Sequence, residues 1–401
     1  MKNLTKRIVF YSILTGLTVA GCALLGLNPK PAPDFDVPDK DFAHTKIAPT
    51  LHSPVVEGEN IAWCKISQIC WDKVMQLNGG PVQAPDSLKV VAELNNPPFK
   101  SKAGEFTSCF VGPATADNKK KAIEKAREMK LYPGQVEQMV SGYSQSDMLI
   151  FGTYWLTDLF EHAFTATTMD FMDKKVAGFT INGNHEIGDE QRKQVLVHWY
   201  DDPENEIRAL RMQQIRMLSG QKYDIEKTDP KAEQKNKEID AKIKALEGKG
   251  KQFIVELLTK SRKRRIILAC IDEGKTLADN VKIVQQKLAL NKPEKMQNTG
   301  DYLYVPEIAF KKSLKLDFAK ELGIKSGEAG KELFAKEMFI AMKFKLDRKG
   351  VELRTLVVCQ TLCIPKIMDF NKPFFVMIFS PDSTEPDFVA YISNPEGMQA
   401  K

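Results

Sequence analysis

The side chains that most often carry out enzyme chemistry do not form a catalytic motif in this sequence. The five histidines are scattered at His44, His52, His162, His185 and His198. His185-Glu186 lacks the second histidine of a zinc-protease motif, and no nucleophile elbow, P-loop or Rossmann glycine pattern occurs. His162 lies close to two phenylalanines and is best explained as a structural histidine. We therefore expect no enzyme activity and no cofactor.

Cys22 is the residue with the most specific chemical prediction. Basic residues begin the chain, and an apolar run from Ile8 to Leu17 follows them. That run is too short to span a bilayer comfortably and is typical of an export signal. The small residues before Cys22 resemble the bacterial lipobox, which predicts removal of residues 1–21 and attachment of diacylglycerol to the Cys22 thiol. The alternative is an ordinary secretory signal with an incidental cysteine.

A lipidated Cys22 would place the protein in the bacterial cell envelope, outside the cytoplasm. Each buried methylene of an acyl chain contributes roughly 0.8 kcal/mol to membrane binding. Ala23 follows Cys22 where an aspartate would indicate retention in the inner membrane, so the outer membrane or cell surface is favoured. Residues 22–54 contain six prolines and little periodicity, which predicts a semi-rigid tether.

The other cysteines leave two interpretations open. Six remain after Cys22, and in an exported protein they could form three disulfides. The apolar surroundings of Cys64, Cys70 and Cys270 equally suit small buried side chains. Cys359 and Cys363 could close a small ring or stay free. No CxxC pair or cysteine–histidine spacing indicates zinc, so no metal site is expected.

Composition excludes a disordered chain and a nucleic-acid-binding protein. The 401 residues are 43% hydrophobic and 27% charged, as in ordinary globular proteins. The formal net charge is +6, and removing the three basic residues of the leader leaves about +3. A charge this small gives no nucleic-acid footprint.

The segment from Lys336 to Pro395 contains an unusually long connection. Apolar side chains alternate from Met338 to Leu346, which predicts a half-buried strand, and the apolar run from Phe375 to Phe379 predicts another. The stretch between them, Val351 to Pro365, has no clear period. Connections of this length are usually functional or disordered.

Upstream, strands and helices are mixed without regular alternation, which predicts one α+β domain over residues 55–395 and a short tail, 396–401. Strands are predicted at 60–64, 148–156, 176–181, 195–200, 253–257, 266–271 and 302–310, and helices at 67–77, 119–130, 277–288 and 316–322. The highly charged stretch 229–252 predicts a solvated helix. The basic turn 260–265 is interpreted as a soluble hairpin tip, with polyanion or anionic-lipid binding as the alternative.

From Tyr302 onward, four motifs in order resemble the serpin family. They are Leu303-Tyr304-Val305-Pro306 with the stretch up to Ile324, the strand Lys336–Gly350, Phe370-Asn371-Lys372-Pro373-Phe374, and the closing strand Phe388–Pro395. Further upstream the likeness is weaker. Asn60 to Ser67 resembles an early family element, but Lys65 stands where a proline is expected.

The resemblance implies a single domain with a large central mixed sheet, two further sheets, eight or nine helices and an exposed reactive-centre loop. In an inhibitory serpin the target protease cuts the loop, which inserts into the large sheet as a new strand and traps the enzyme. The resemblance places the hinge glycine at Gly350 and the scissile bond at Leu362-Cys363. A leucine there suits a serine protease of the chymotrypsin or elastase type.

The hinge departs from the inhibitory pattern. Inhibitory members have small residues after the glycine, whereas this chain has Val351, Glu352, Leu353, Arg354 and Thr355. The bulk of Leu353 and the charge of Arg354 would slow insertion, so the protease would escape. We therefore expect a membrane-anchored binding or structural module that does not inhibit. The alternatives are an envelope protease inhibitor that is cut at Leu362-Cys363 and an unrelated envelope lipoprotein.

Overall fold

The computed structural model describes residues 42–100, 107–129, 131–154, 156, 158–220, 230–296, 300–325, 332–348, 366–381 and 383–398. The helices of these ranges are α1 (Ile66–Asn78), α2 (Lys89–Asn95), α3 (Ala116–Glu128), α4 (Pro133–Ser141), α5 (His185–Lys193), α6 (Pro203–Gly220), α7 (Pro230–Leu246) and α8 (Leu277–Leu290). The strands are β1 (Thr45–Ile47), β2 (Asn60–Cys64), β3 (Thr107–Pro113), β4 (Met148–Tyr154), β5 (Thr165–Phe171), β6 (Lys174–Thr180), β7 (Val195–Asp201), β8 (Gln252–Leu258), β9 (Arg265–Cys270), β10 (Glu294–Lys295), β11 (Tyr302–Pro306), β12 (Ile308–Lys325), β13 (Glu332–Leu346), β14 (Ile367–Asp369), β15 (Phe374–Phe379) and β16 (Pro386–Ile392). The α+β prediction is confirmed.

A large mixed sheet forms the centre of the fold. Its eight strands run in the order β1-β2-β16-β15-β9-β8-β7-β10, and β1 is parallel to β2 whereas β15 and β16 are antiparallel to each other. Every residue of β15 and β16 is buried. Apolar side chains pack against both faces, and α8 covers one of them with Leu277, Val281 and Val284. A sheet buried on two faces requires such continuous apolar runs.

A second sheet and two antiparallel strand pairs complete the strand architecture. The second sheet has four strands in the order β14-β11-β6-β5. One pair is β3 with β4, which α3 and α4 separate in the sequence, and the other is β12 with β13, which pair along nearly their whole length. The predicted alternation in β13 is confirmed, because Met338, Ile340, Met342 and Leu346 are buried.

The predicted helix at 316–322 is wrong, because these residues continue β12. Phe318 and Leu322 are four residues apart, which mimics the spacing of a helix face. The ladder with β13 shifts register between Asp317 and Leu322, so a bulge separates the two apolar residues within the strand. Both are buried, and the Phe318 ring lies 5.9 Å from the Trp71 ring of α1.

The folded region extends further towards the amino terminus than the predicted boundary at residue 55. Thr45–Ile47 pairs with β2, and Phe42 and Leu51 are buried in the core. The Glu396 carboxylate accepts a 2.6 Å hydrogen bond from the Thr45 hydroxyl and so holds the two ends of the described region together. The prolines of this stretch suggested a tether, but the apolar residues between them reach the core.

The charged helix predicted between residues 229 and 252 is confirmed as α7. It forms a helical insertion together with α6 between β7 and β8. A surface cavity of about 470 Å³ lies between these helices and is lined by Arg211, Gln214, Ile215, Asn236 and Asp240. In the part of the chain that the structure describes, no helix is both long and apolar enough to span a membrane.

Candidate functional site

The connection between β13 and β14 is the candidate site, and its entry is fixed by the fold. The Arg348 carbonyl accepts a 3.0 Å hydrogen bond from the Phe164 amide. The Arg348 guanidinium lies 3.9 Å from the Glu307 carboxylate, and Asp347 pairs with Lys345 at 3.0 Å. The chain therefore leaves β13 at a defined position.

The exit from this connection is held by contacts of Lys366 with Asp301, Tyr302 and Glu294. The Lys366 amide donates to the buried Asp301 carboxylate at 2.7 Å, and the Lys366 carbonyl accepts from the Tyr302 amide at 3.0 Å. The Lys366 ammonium also lies 3.0 Å from Glu294. Residues 367–369 then form β14, which is parallel to β11. The connection therefore begins at β13, which pairs with β12, and ends at β14 in the four-stranded sheet.

The predicted site residues themselves lie outside the described residues. They are Gly350, Val351, Glu352, Leu353, Arg354, Thr355, Leu362 and Cys363 of the loop, and the lipidation residue Cys22. What the structure places is the frame around the loop.

Strand β13, which leads into the loop, runs parallel to β4 and is bridged to it at one end. A single bridge connects Asp147, just before β4, to Phe334 of β13, and the Phe334 amide donates to the Ser146 carbonyl at 3.3 Å. Within the described residues of β4 and β13, no further backbone ladder joins the two strands. Their facing edges are therefore candidates for pairing with an additional strand.

An ion pair reinforces this bridge. The Lys336 ammonium lies 2.5 Å from the buried Asp147 carboxylate, which also accepts from the Ser144 amide and hydroxyl at 2.6 and 2.9 Å. Burial raises the pKa of Asp147, but the bonds from Lys336 and Ser144 outweigh it and hold that pKa below its ordinary value. The carboxylate therefore stays charged at neutral pH and clamps β13 to β4.

Helices cover one face of the two strands, and the large sheet packs against the inner side of β13 on the other. On one face α3 and α4 bury Leu149 of β4 and pack against Phe339 of β13. Tyr132, just before α4, donates to the Lys311 carbonyl of β12 at 2.9 Å. On the other face the inner side of β13 meets the large sheet, where the rings of Phe344 and Phe388 stack with centroids 4.7 Å apart.

A buried charged cluster fixes the far end of β4. The Asp387 carboxylate of β16 lies 2.5 Å from the Lys65 ammonium and 3.0 Å from the Arg264 guanidinium. Tyr154, the last residue of β4, donates to the same carboxylate at 3.2 Å, and Ser380 donates at 3.0 Å. Burial and the Asp387 charge raise the pKa of Tyr154 well above its usual range, so it stays a hydrogen-bond donor.

Sequence reasoning found one member of this cluster and missed its partners. Lys65 stands out in the sequence because it replaces an expected proline. The prediction of a solvated basic turn is wrong for Arg264, because its side chain is buried, and Arg262 in the same turn pairs with Glu161 at 3.2 Å. The spacing of these residues in the sequence gives no signal that Lys65, Arg264 and Asp387 meet.

A second buried charged group lies in the large sheet. The Glu256 carboxylate accepts two hydrogen bonds from Arg265, at 3.1 and 3.0 Å, and lies 2.7 Å from the His198 ring. Burial raises the pKa of Glu256, and the His198 and Arg265 bonds more than reverse that effect. In the described ranges, no three His, Cys, Asp or Glu side chains are grouped so as to hold a metal ion.

Two of the motifs that carried the family resemblance meet in space. The Asn60 side chain donates to the Asn394 side chain at 2.9 Å and accepts from the amides of Ser393 and Asn394. In the motif after the loop, the rings of Phe370 and Phe374 lie 5.0 Å apart, and both are buried. These residues therefore have structural roles, and the contacts of Asn60 with Ser393 and Asn394 join an early strand to the end of the closing strand.

No protein-family model and no curated protein matches the sequence. Among solved structures, the chain is similar to a serpin from the trematode Schistosoma haematobium, with 13% identity over 84% of this chain and 94% of that chain, at a TM-score of 0.42. It is also similar to the serine protease inhibitor (serpin)-12 of Manduca sexta, with 12% identity over 84% of this chain and 93% of that chain, at a TM-score of 0.45. Both are serpins, the family that the carboxyl-terminal motifs resemble. At these identities the likeness concerns the fold alone.

Proposed function

We propose that this protein is a serpin-like binding or structural module, anchored to the bacterial envelope, that neither traps proteases nor acts as an enzyme. The observation that carries the proposal is the bond from Tyr154 to the buried Asp387 carboxylate. Trapping would require β4 and β13 to separate by about one strand spacing, roughly 4.8 Å. A shift of that size breaks the Tyr154 bond and opens a charged cluster to partial solvation.

The other end of β4 adds a second restraint. The Lys336–Asp147 ion pair and the Phe334 bridge hold β13 against β4 where the strands begin. Moving Lys336 away would leave the buried Asp147 charge without its counter-ion, which is unfavourable, although Lys336 itself is partly exposed. Separation of the strands therefore has a barrier at each end, in addition to the bulk of Leu353 and the charge of Arg354 at the hinge.

The partner of such a loop is a serine protease of the chymotrypsin or elastase type that cuts after Leu362 and then departs. Incubation with each protease tests this, with denaturing gels and thermal denaturation as readouts. We expect cleavage between residues 351 and 365, no complex stable in denaturant and an unchanged melting temperature. A covalent complex that survives denaturation would refute the proposal.

A hinge variant distinguishes the effect of the hinge residues on loop insertion from the effect of the contacts that hold β4 at its two ends. Leu353→Ala combined with Arg354→Thr gives the hinge the small residues of inhibitory family members. If the restraints on β4 dominate, this variant is still cleaved without trapping. A matched change at the end of the loop, Lys366→Ala, removes an exposed ion pair with Glu294 and should leave the result unchanged.

One observation favours the alternative function, an envelope protease inhibitor with the bond Leu362-Cys363 as bait. The described parts of β4 and β13 share no ladder beyond the Asp147 bridge, which leaves edges that a further strand could pair with. Insertion of the cleaved loop there should raise the melting temperature. Cleavage without any such rise would exclude this alternative.

A further inference from the structure

We propose that Cys70 and Cys109 form a reversible disulfide that joins helix α1 to strand β3 when a small-molecule disulfide donor is present. This inference goes beyond the proposed function and does not depend on loop insertion or membrane attachment. It rests on where the two sulfur atoms lie and on the different surroundings of the two thiols.

Gly152 shows how close the Cys70 sulfur comes to Cys109. Cys109 of β3 stands directly opposite Gly152 of β4 in the antiparallel ladder. A Cβ atom at Gly152 would lie only 2.3 Å from the Cys70 sulfur. The Cys70 sulfur therefore occupies the space above Gly152, beside the residue that pairs with it.

A hydrogen bond from Lys73 independently shows that helix α1 lies close to Cys109. It lies three residues after Cys70 on α1, so the two side chains share one face of the helix. The Lys73 ammonium donates to the Cys109 carbonyl at 2.6 Å. This face of α1 is therefore held against β3 at Cys109, and both cysteines pack in the same apolar cluster.

The two thiols are suited to different steps of an exchange reaction. A hydrogen bond with Cys70 lowers the pKa of Cys109, burial opposes this effect, and the Lys73 charge adds to the lowering. Cys109 is half-buried, so a small disulfide can reach it. The same hydrogen bond and burial raise the pKa of Cys70, which is only 2% exposed. Cys109 is thus the attacking thiol and Cys70 the resolving one.

The exchange balances in two steps. The Cys109 thiolate attacks one sulfur of the donor disulfide, forms a mixed disulfide and releases one donor thiolate. Cys70 then loses its proton to solvent, its sulfur attacks the Cys109 sulfur, and the second donor thiolate leaves. Two protein thiols are oxidised to one disulfide, and the donor disulfide is reduced to two thiols.

The other described cysteines provide matched controls. Burial raises the pKa of Cys64 to about 12 and that of Cys270 to about 11, so both stay protonated and unreactive. Cys270 weakly donates to the Lys251 and Pro373 carbonyls and lies on β9. Cys270→Ala should therefore leave the exchange unchanged.

The test treats the purified full chain with oxidised glutathione, blocks the remaining thiols and maps tryptic peptides by mass spectrometry. The sequence places Cys70 alone in peptide 66–73 and Cys109 alone in peptide 103–119. We expect these two peptides to be linked in the wild type and in Cys270→Ala, and a reducing agent to separate them. Closing a loop of this length should raise the melting temperature by about 5 °C.

Two variants decide the outcome. Cys109→Ser should lose both the linked peptide and the rise in melting temperature, and its half-buried position makes loss of folding a small risk. Cys70→Ser should leave Cys109 carrying one glutathione. A wild-type chain in which Cys109 stays free, keeps a glutathione or links to Cys64 would overturn the proposal.

Discussion

The Asp387 carboxylate is the centre of the buried charged cluster, where four side chains contact it. It is 2% exposed, and it faces two cations, Lys65 and Arg264, together with the hydroxyls of Tyr154 and Ser380. A buried ion pair contributes little net stability when complete, because desolvation offsets the attraction. Its loss is costly, however, since the remaining charges stay buried.

Asp387→Asn should therefore destabilise the fold by about 3–5 kcal/mol, because the buried Lys65 and Arg264 side chains would lose the carboxylate charge that faces them. Chemical denaturation followed by circular dichroism measures this change. The matched control is Glu59→Gln, which removes the partner of an exposed lysine, Lys46, and should change stability by less than about 1 kcal/mol. Equal effects of the two variants would contradict the assigned role of Asp387.

A second prediction at the scale of single residues concerns the space around Gly152. Its Cβ would lie 2.3 Å from the Cys70 sulfur and 2.8 Å from Ile66, so Gly152→Ala should destabilise the fold by about 1–3 kcal/mol through overpacking. Gly134, at the start of α4, has nothing within 4 Å of the same position, so Gly134→Ala should be neutral or slightly stabilising. Adding Cys70→Ala to Gly152→Ala should restore part of the loss in the same denaturation measurement. No recovery would show that the sulfur is elsewhere.

At the scale of elements, the bridge between β4 and β13 depends on the charge of Asp147. Its pKa is lower in the folded state than its ordinary value of about 3.9, so the carboxylate contributes stability above that value. This contribution is lost as the pH falls through the folded-state pKa. Between about pH 6 and pH 3, the wild type should lose more unfolding free energy than Asp147→Asn does.

Hydrogen exchange gives the structural side of the same prediction. The Phe334 amide bonds the Ser146 carbonyl across the bridge, so its protection should fall in Asp147→Asn and in wild type at low pH. Exchange in β15, which is buried in the large sheet, is the internal reference and should stay slow. A Phe334 amide whose protection does not depend on Asp147 would show that the ion pair does not hold the strands together.

The elements that the sequence predicted well are those whose pattern is local. The alternation in β13 and the apolar stripe of α8 follow from which side chains face the core, and both were placed correctly. The bulge in β12 was not predictable, because it depends on pairing with β13 and on contact of Phe318 with Trp71. The Asp387 cluster joins residues that are more than a hundred positions apart, so only the fold brings them together.

At the scale of the whole molecule, hydrogen bonds hold the two ends of the described chain together. The signal predicted at residues 1–21 lies outside the described residues. His44 and Thr45 both donate to the Glu396 carboxylate beside the closing strand. The chain therefore enters the fold next to where it leaves it. Within the described chain, this is the edge of the large sheet at which β1 lies.

Cys22→Ser tests the predicted lipid attachment in bacterial cells that express the full chain. We expect the wild type to incorporate radiolabelled palmitate and to sediment with membranes, because two or three acyl chains give effectively stable anchoring. Since a serine has no thiol to receive diacylglycerol, the variant should remain an unprocessed precursor without label. Cys109→Ser, a change at a half-buried thiol of the folded domain, should keep both the label and the processing. Normal cleavage of the Cys22→Ser leader, with release of a soluble protein, would instead identify an ordinary secretory signal.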